Sequence, residues 1–211
     1  MSGERAAVTS LDRQFEIAAA RKAHAIPTQF ETDRLLIRQG TANDFDATLL
    51  VARASADALK RWMPWAHPAP IAESMEKYFS TVEAKWASRE MLDFQWIEKS
   101  SGQLIGKGGF HHIDWAIPKF EVGYWLATAA TGQGYCTEAV NGLVNFVKTS
   151  VFPSTPIRKS IRLEIRAQPS NHASRAVAER AGFTLEGINR HALLGADSSL
   201  CDACMYALIA E

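Results

Sequence analysis

The 211-residue chain carries no excess of either charge, with Lys and Arg totalling 23 and Asp and Glu also 23. A generic nucleic-acid surface needs a basic surplus, so no nucleic-acid partner is expected. Long apolar runs are missing too, and none approaches the roughly 18 residues of a membrane span. No membrane partner is expected. The N-terminus has no apolar core of the kind a secretory signal carries. Cysteine is scarce at three residues, which excludes a disulfide scaffold and suits a reducing, cytoplasmic compartment. Cys201 and Cys204 have the spacing of half a zinc knuckle, but no second Cys or His pair accompanies them. They lie in a strand-like run, where residues three apart point to opposite faces. No metal is expected.

What is present suits one α/β domain with a substantial core, at 47% hydrophobic and 22% charged residues. Residues 1–28 are polar and alanine-rich and read as an N-terminal extension, with a short helix over 11–25. The domain proper spans 29–211. Residues 34–38 form a first strand. Thr41 to Asp44 supply cap-type residues for a helix through Leu59. Residues 71–89 repeat apolar groups at helical spacing. Strands follow over 94–97, 104–113 and 120–126, then a helix from Glu138 to Val151, a strand over 161–165 and a helix over 171–181. Gly182 is a helix stop. Two strands, 183–194 and 200–209, close the chain. Seven strands and four helices in this order predict a mixed α/β architecture.

The most informative segment is Thr131-Gly132-Gln133-Gly134-Tyr135-Cys136-Thr137, between the strand ending at Leu126 and the following helix. Two glycines at a strand-to-helix turn let backbone approach a ligand closely. The helix start offers unpaired N–H groups and a positive dipole end. Phosphate or pyrophosphate suits such a turn. A dinucleotide fingerprint would need glycine where Thr137 stands, and an ATP-type phosphate loop would need a lysine after Gly134. Neither is present.

Glu121-Val-Gly-Tyr-Trp-Leu126, Gly132-Gln-Gly-Tyr-Cys-Thr-Glu-Ala139, Asn171-His-Ala-Ser174, Ala181-Gly-Phe183 and Glu186-Gly187 together resemble the GCN5-related N-acetyltransferases. Within them the chain is similar to the ribosomal-protein N-terminal acetyltransferases of RimJ/RimL type, as Phe30–Arg38 and Arg61-Trp-Met-Pro-Trp65 also suggest. The likeness covers about residues 30–210. It implies a twisted mixed sheet of about seven strands and four helices, splayed at a cofactor cleft. It also implies acetyl-CoA as co-substrate, without metal, and a protein N-terminal amine as acceptor. The alternatives are a small amine (amino acid, polyamine or aminoglycoside) or an acyl-CoA-binding module that has lost catalysis. A homodimer is compatible with the sequence.

The resemblance also assigns residues. The cradle from Thr131 to Thr137 would hold the pyrophosphate, and Asn171 and Ser174 would meet pantetheine and the CoA sulfur. Asn171 has a second role open to it as helix N-cap. Backbone donors at Trp125 and Leu126 would face an oxyanion. Glu121 is the expected base and Ser174 the expected donor to the leaving thiolate. His111, His112 and His191 are alternative proton carriers, and alternation puts 111 and 112 on opposite faces. Trp62 and Trp65 are expected on the acceptor side. The chain departs from the family where Thr131 replaces a Gln or Arg arm and Cys136 a Gly or Ala. A late glutamate used by some ribosomal-protein acetyltransferases would fall near Leu193, which has no carboxylate.

Overall fold

The computed structural model describes residues 24–66, 71–151 and 160–210, with Glu16 and Ala19. The expected helix over 11–25 therefore lies largely outside the described residues. Among the described residues, eight strands form one sheet: β1 (Gln29–Glu31), β2 (Leu35–Gln39), β3 (Leu92–Glu98), β4 (Leu104–Asp114), β5 (Lys119–Leu126), β6 (Ile161–Ala167), β7 (Thr184–Leu194) and β8 (Leu200–Ala210). Their spatial order is β1-β2-β3-β4-β5-β6-β8-β7. The strand beyond the seven expected is β1, a three-residue piece paired with β2. Neighbours are antiparallel except β5 and β6.

The helices are α1 (Phe45–Ala54), α2 (Ala56–Leu59), α3 (Ile71–Phe79), α4 (Val82–Ala87), α5 (Tyr135–Phe146) and α6 (His172–Arg180). Two helices expected as continuous are each broken. One breaks at Ser55, whose hydroxyl accepts from the Thr128 N–H. The other breaks at Ser80 and Thr81, whose hydroxyls bond to the carbonyls of Lys77 and Tyr78. Ser and Thr offer local backbone bonds that compete with the helix ladder.

Strand alternation divides the sheet into two unlike faces. Leu92, Phe94, Phe110, Phe120 and Val122 are buried on one face, in a cluster with Ala139, Val140, Leu143 and Phe146 of α5. Phe94 meets Phe146 edge-on with centroids 5.3 Å apart. The other face carries Asp93, Lys107, His111, Glu121 and Trp125 and looks toward α3. Here Trp125 joins a second cluster with Ile71, Met75 and Phe79.

The sheet has little room for side chains at Gly109. A Cβ there would lie 2.0 Å from the Leu92 carbonyl oxygen. The obstacle is main chain of the neighbouring strand, which cannot rotate aside.

Two carboxylates tie loops to this frame. Arg38 grips Asp44 through Nη1–Oδ2 at 2.9 Å and Nη2–Oδ1 at 2.5 Å. Glu138, in the first turn of α5, accepts from Thr32 Oγ1 at 2.6 Å, Arg34 N at 2.8 Å and Arg34 Nε at 2.6 Å. Burial alone would raise each carboxyl. The hydrogen bonds and the arginine charges outweigh it, so both sit below the usual carboxylate range.

Two outcomes follow from the frame. Gly109→Ala should destabilise by about 3 kcal/mol, read as a lower urea midpoint at unchanged slope. A depressed carboxyl stabilises the folded state above its unfolded pKa, and that contribution fades as pH falls through the folded value. Unfolding free energy should therefore drop between about pH 5 and pH 3. The double variant Asp44→Asn, Glu138→Gln should be less stable at pH 6 and show a shallower drop.

Candidate active site

Strands β5 and β6 hold together over three pairs only: Lys119–Arg162, Phe120–Leu163 and Glu121–Glu164. Beyond Glu121, β5 continues to Leu126 against β4 alone, while β6 continues to Ala167 against β8. The sheet thus opens as a V. Ala127 donates its N–H to Ile105 O at 2.7 Å, on the β4 side. By alternation the Leu126 N–H turns toward the opening.

At the end of β5 the chain makes a short turn over Thr128–Ala130 and enters the glycine segment. Gly132 has φ 75° and Gly134, the N-cap of α5, has φ 83°. This left-handed backbone favours glycine. The first N–H groups of α5 have no intrahelical acceptor and surround the turn. Thr131 Oγ1 donates to Thr128 O at 2.7 Å and Gln133 Nε2 to Ala129 O at 3.1 Å. Both side chains are therefore folded back into the loop, leaving a cradle of backbone.

Two arginines flank that cradle, and sequence reasoning had not singled them out. Arg34 Nη1 donates to Gln133 O at 3.0 Å, and its guanidinium lies 4.2 Å from the Tyr135 ring centroid. The Tyr135 hydroxyl donates in turn to Glu98. Arg180, at the end of α6, donates from Nε to Thr137 Oγ1 at 3.2 Å. Only the fold brings positions 34 and 180 to residues 133–137. Cys136 packs partly buried against the core, and burial pushes its thiol up to about 12, with Arg180 pulling weakly the other way.

Asn171 caps α6, its Oδ1 accepting from the Ser174 N–H at 3.2 Å. Ser174 meets the Tyr124 hydroxyl, which lies 3.1 Å from Ser174 O and 3.2 Å from Ser174 Oγ. Burial, the largest cause, raises the Tyr124 pKa, so this phenol keeps its proton. Tyr124 stacks on Trp96 at 6.4 Å. The Ser174–Tyr124 pair joins residues 50 positions apart.

On the opposite face lies a cavity of about 320 Å³, lined by Met63, Trp65, Met75, Phe79, His111 and Trp125 among others. Trp65 leans on Trp125 with centroids 5.8 Å apart. Trp62 is half-buried in the preceding turn and is not among the lining residues. Of the two tryptophans expected on this side, the structure brings only Trp65 to the cavity. One wall holds a buried ion pair, Lys107 Nζ to Asp93 Oδ2 at 2.9 Å. Lys107 Nζ also stands 3.9 Å from the Tyr78 ring centroid. The Tyr78 hydroxyl feels the Asp93 charge without the alignment of a hydrogen bond; burial first, then Asp93, holds it protonated.

Glu121 lies at the apex of the V. Its Oε2 meets Arg166 Nη2 at 2.6 Å and His112 Nδ1 at 2.9 Å. The expectation that His111 and His112 point to opposite faces fails locally. His112 has φ 45°, and the β4–β5 register shifts after His111. That bulge swings the His112 ring back to the Glu121 carboxylate, with its side chain 72% exposed. His191 lies on β7, where its N–H donates to Asp202.

A splayed sheet, a glycine cradle at a helix start and a hydroxyl pair beside the opening define an acyl-CoA-dependent transferase. Residues 34–184 match the acetyltransferase (GNAT) domain, and the chain belongs to that family of N-acetyltransferases, which use acetyl-CoA. A Bacillus subtilis protein named "Putative ribosomal N-acetyltransferase YdaF" is 33% identical over 132 residues, 61% of this chain and 68% of its own length. The ribosomal-protein-serine acetyltransferase of Escherichia coli is 31% identical over 52% of this chain and 56% of its own length. Among solved structures, RimL, a ribosomal L7/L12 α-N-protein acetyltransferase in complex with coenzyme A, superposes with a TM-score of 0.73 at 22% identity. It covers 87% of this chain and 97% of RimL. The microcin C7 self-immunity acetyltransferase MccE, in complex with acetyl-CoA and AMP, gives 0.75 at 22% over the same shares.

The site's one cysteine gives a direct check of its packing. With its thiol pushed up to about 12, Cys136 should stay unmodified by iodoacetamide at pH 8 in the folded protein and react only after denaturation, as peptide mass mapping would show.

Proposed function

We propose that the enzyme transfers the acetyl group of acetyl-CoA to the N-terminal α-amine of a polypeptide in the cytoplasm, with residues 29–211 as the catalytic domain. The observation that carries this reading is the division of the opened sheet. A backbone cradle and Ser174 lie on one side of β5, an apolar cavity lies on the other, and Tyr124 both bonds to Ser174 and borders the cavity. The names of the YdaF and Escherichia coli relatives support a ribosomal-protein type of acceptor. The cavity wall speaks against a polycationic amine, because its carboxylate, Asp93, is already matched by Lys107.

In this reading the CoA pyrophosphate rests on N–H groups from Gly132 to Thr137 at the positive end of α5. Arg180 supplies the cation that Thr131 cannot, since a charged donor strengthens a phosphate contact. Asn171 combines capping with a contact to pantetheine. The acceptor nitrogen attacks the thioester carbonyl, the C–N bond forms, and the carbonyl electrons move to oxygen. The Leu126 N–H faces that oxyanion, and Trp125 fixes the strand through its packing. Collapse breaks the C–S bond, and the departing thiolate takes a hydrogen bond from Ser174, itself oriented by the protonated Tyr124. The amine's extra proton leaves on the cavity side, where Glu121 provides the negative charge. Trp65 borders the acceptor, and Trp62, in the turn before it, acts on the acceptor side only at second hand.

Thiol release from acetyl-CoA, followed against a panel of N-terminal peptides and small amines, tests the reading. Turnover confined to peptides is the expected result. Turnover confined to amino acids or polyamines would redirect it to a small-molecule enzyme. CoA binding without any turnover would leave only a binding module. Arg180→Ala should weaken CoA binding by roughly tenfold, in line with loss of one charge-assisted contact. Ser174→Ala should lower kcat more than it raises KM.

A further inference from the structure

We propose that His111 takes the proton from the attacking amine, with Glu121 on the adjacent strand holding the imidazolium that forms. The inference rests on the acetyl-transfer reading and names a residue that the reading leaves without a role.

The placement comes from register. His111 on β4 pairs directly with Glu121 on β5, so their side chains rise from the same face as cross-strand neighbours. The ring lies over the next same-face position, Gly123. A Cβ there would stand 3.0 Å from His111 Cδ2 and 3.2 Å from Nε2. Glycine at 123 is what lets the imidazole lie flat against β5, beyond the last β5–β6 pair at Glu121. The ring also lines the acceptor cavity. It therefore borders both the opened edge and the space from which an amine would approach. Its nitrogens have no hydrogen-bond partner among the described residues.

The charged neighbours set its state. Burial, the largest influence, lowers the His111 pKa. Asp93 of β3 and Glu121 of β5 oppose the lowering, while Lys107 and His112 of β4 add to it. Across the cavity, α3 contributes the protonated Tyr78. The net direction is down, so the imidazole is neutral near pH 7 and has a lone pair to offer. Glu121 is placed differently. Its Oε2 is already committed to Arg166 and His112. A carboxylate held that way suits charge support better than proton capture. The step balances simply. Attack gives an ammonium nitrogen in the tetrahedral intermediate, one N–H bond breaks toward the imidazole lone pair, and imidazolium forms. Solvent then takes the proton while the amide stays neutral.

His111→Gln and His111→Ala test the assignment in the full chain with acetyl-CoA and the peptide panel. A general base contributes on the order of a hundredfold or more, so kcat/KM should fall about that far in both. CoA affinity should be unchanged. The acid side of the pH profile should lose one of two overlapping ionisations, leaving that of the amine. Added imidazole should restore part of the rate in His111→Ala and none in a Ser174→Ala control. Wild-type rate and profile in His111→Gln would overturn the proposal while leaving acetyl transfer intact. Absence of turnover by the unmodified enzyme with every acceptor would sink the broader reading instead. In that event, the imidazole NMR titration decides: His111 should titrate below the ordinary imidazole range and shift on adding acetyl-CoA, and an ordinary, unshifted titration overturns its role.

Discussion

Three backbone pairs between β5 and β6, and their stop at Glu121–Glu164, are the constraint on which the rest of this molecule depends. Parallel pairing at this point is enough to keep the sheet continuous from β1 to β7. Ending it there leaves N–H and C=O groups of β5 unpaired inside a folded protein, a costly state unless something polar uses them. Each side of the opening is equipped differently. The hydrophobic cluster under α5 fixes the height of the glycine cradle, because Ala139, Val140 and Leu143 seat that helix on the sheet. The opposite face pairs charge with charge, Asp93 with Lys107 and Glu121 with Arg166. An unmatched charge at such a depth would be far more destabilising than a matched one.

The cradle shows how backbone can replace side chains. Thr131 and Gln133 bond to carbonyls of the turn just before them, and Cys136 is drawn into the core. What remains outward is a ring of peptide N–H groups and the field of a twelve-residue helix. Recognition by main chain tolerates changes of side chain, so a threonine at 131 is compatible with the proposed pyrophosphate contact. The arginines at 34 and 180 then reach the cradle from separate parts of the chain.

Local patterns carried the fold well and the site unevenly. The glycine turn, the helix after it and the strand ending at Leu126 were legible because each rests on near-neighbour chemistry. The Asn171 cap was legible for the same reason. The two helix breaks were missed because apolar spacing continues through Ser55 and through Ser80–Thr81, and only hydroxyl bonding interrupts it. His112 was misplaced because alternation assumes an unbroken ladder, and a left-handed residue at a register shift reverses it. The pairing of Tyr124 with Ser174, the Asp93–Lys107 wall and the Arg166 contact to Glu121 had no local signal at all. They arise from tertiary packing: a helix set against β5, side chains brought together across β3 and β4, and the pairing of β5 with β6.

The Glu138 clamp has a consequence for how the molecule is made. Its partners, Thr32 and Arg34, lie 106 and 104 residues upstream. Closing loops of that length is entropically slow, and contacts of such separation form late in folding. The start of α5 is therefore pinned only once β2, three further strands and the helices between them have been assembled. A chain emerging from synthesis would hold the glycine turn long before it holds a rigid one. If the proposed cradle holds the cofactor, competence to bind it is then a late property of the whole sheet, acquired at nearly the same moment as the native state itself.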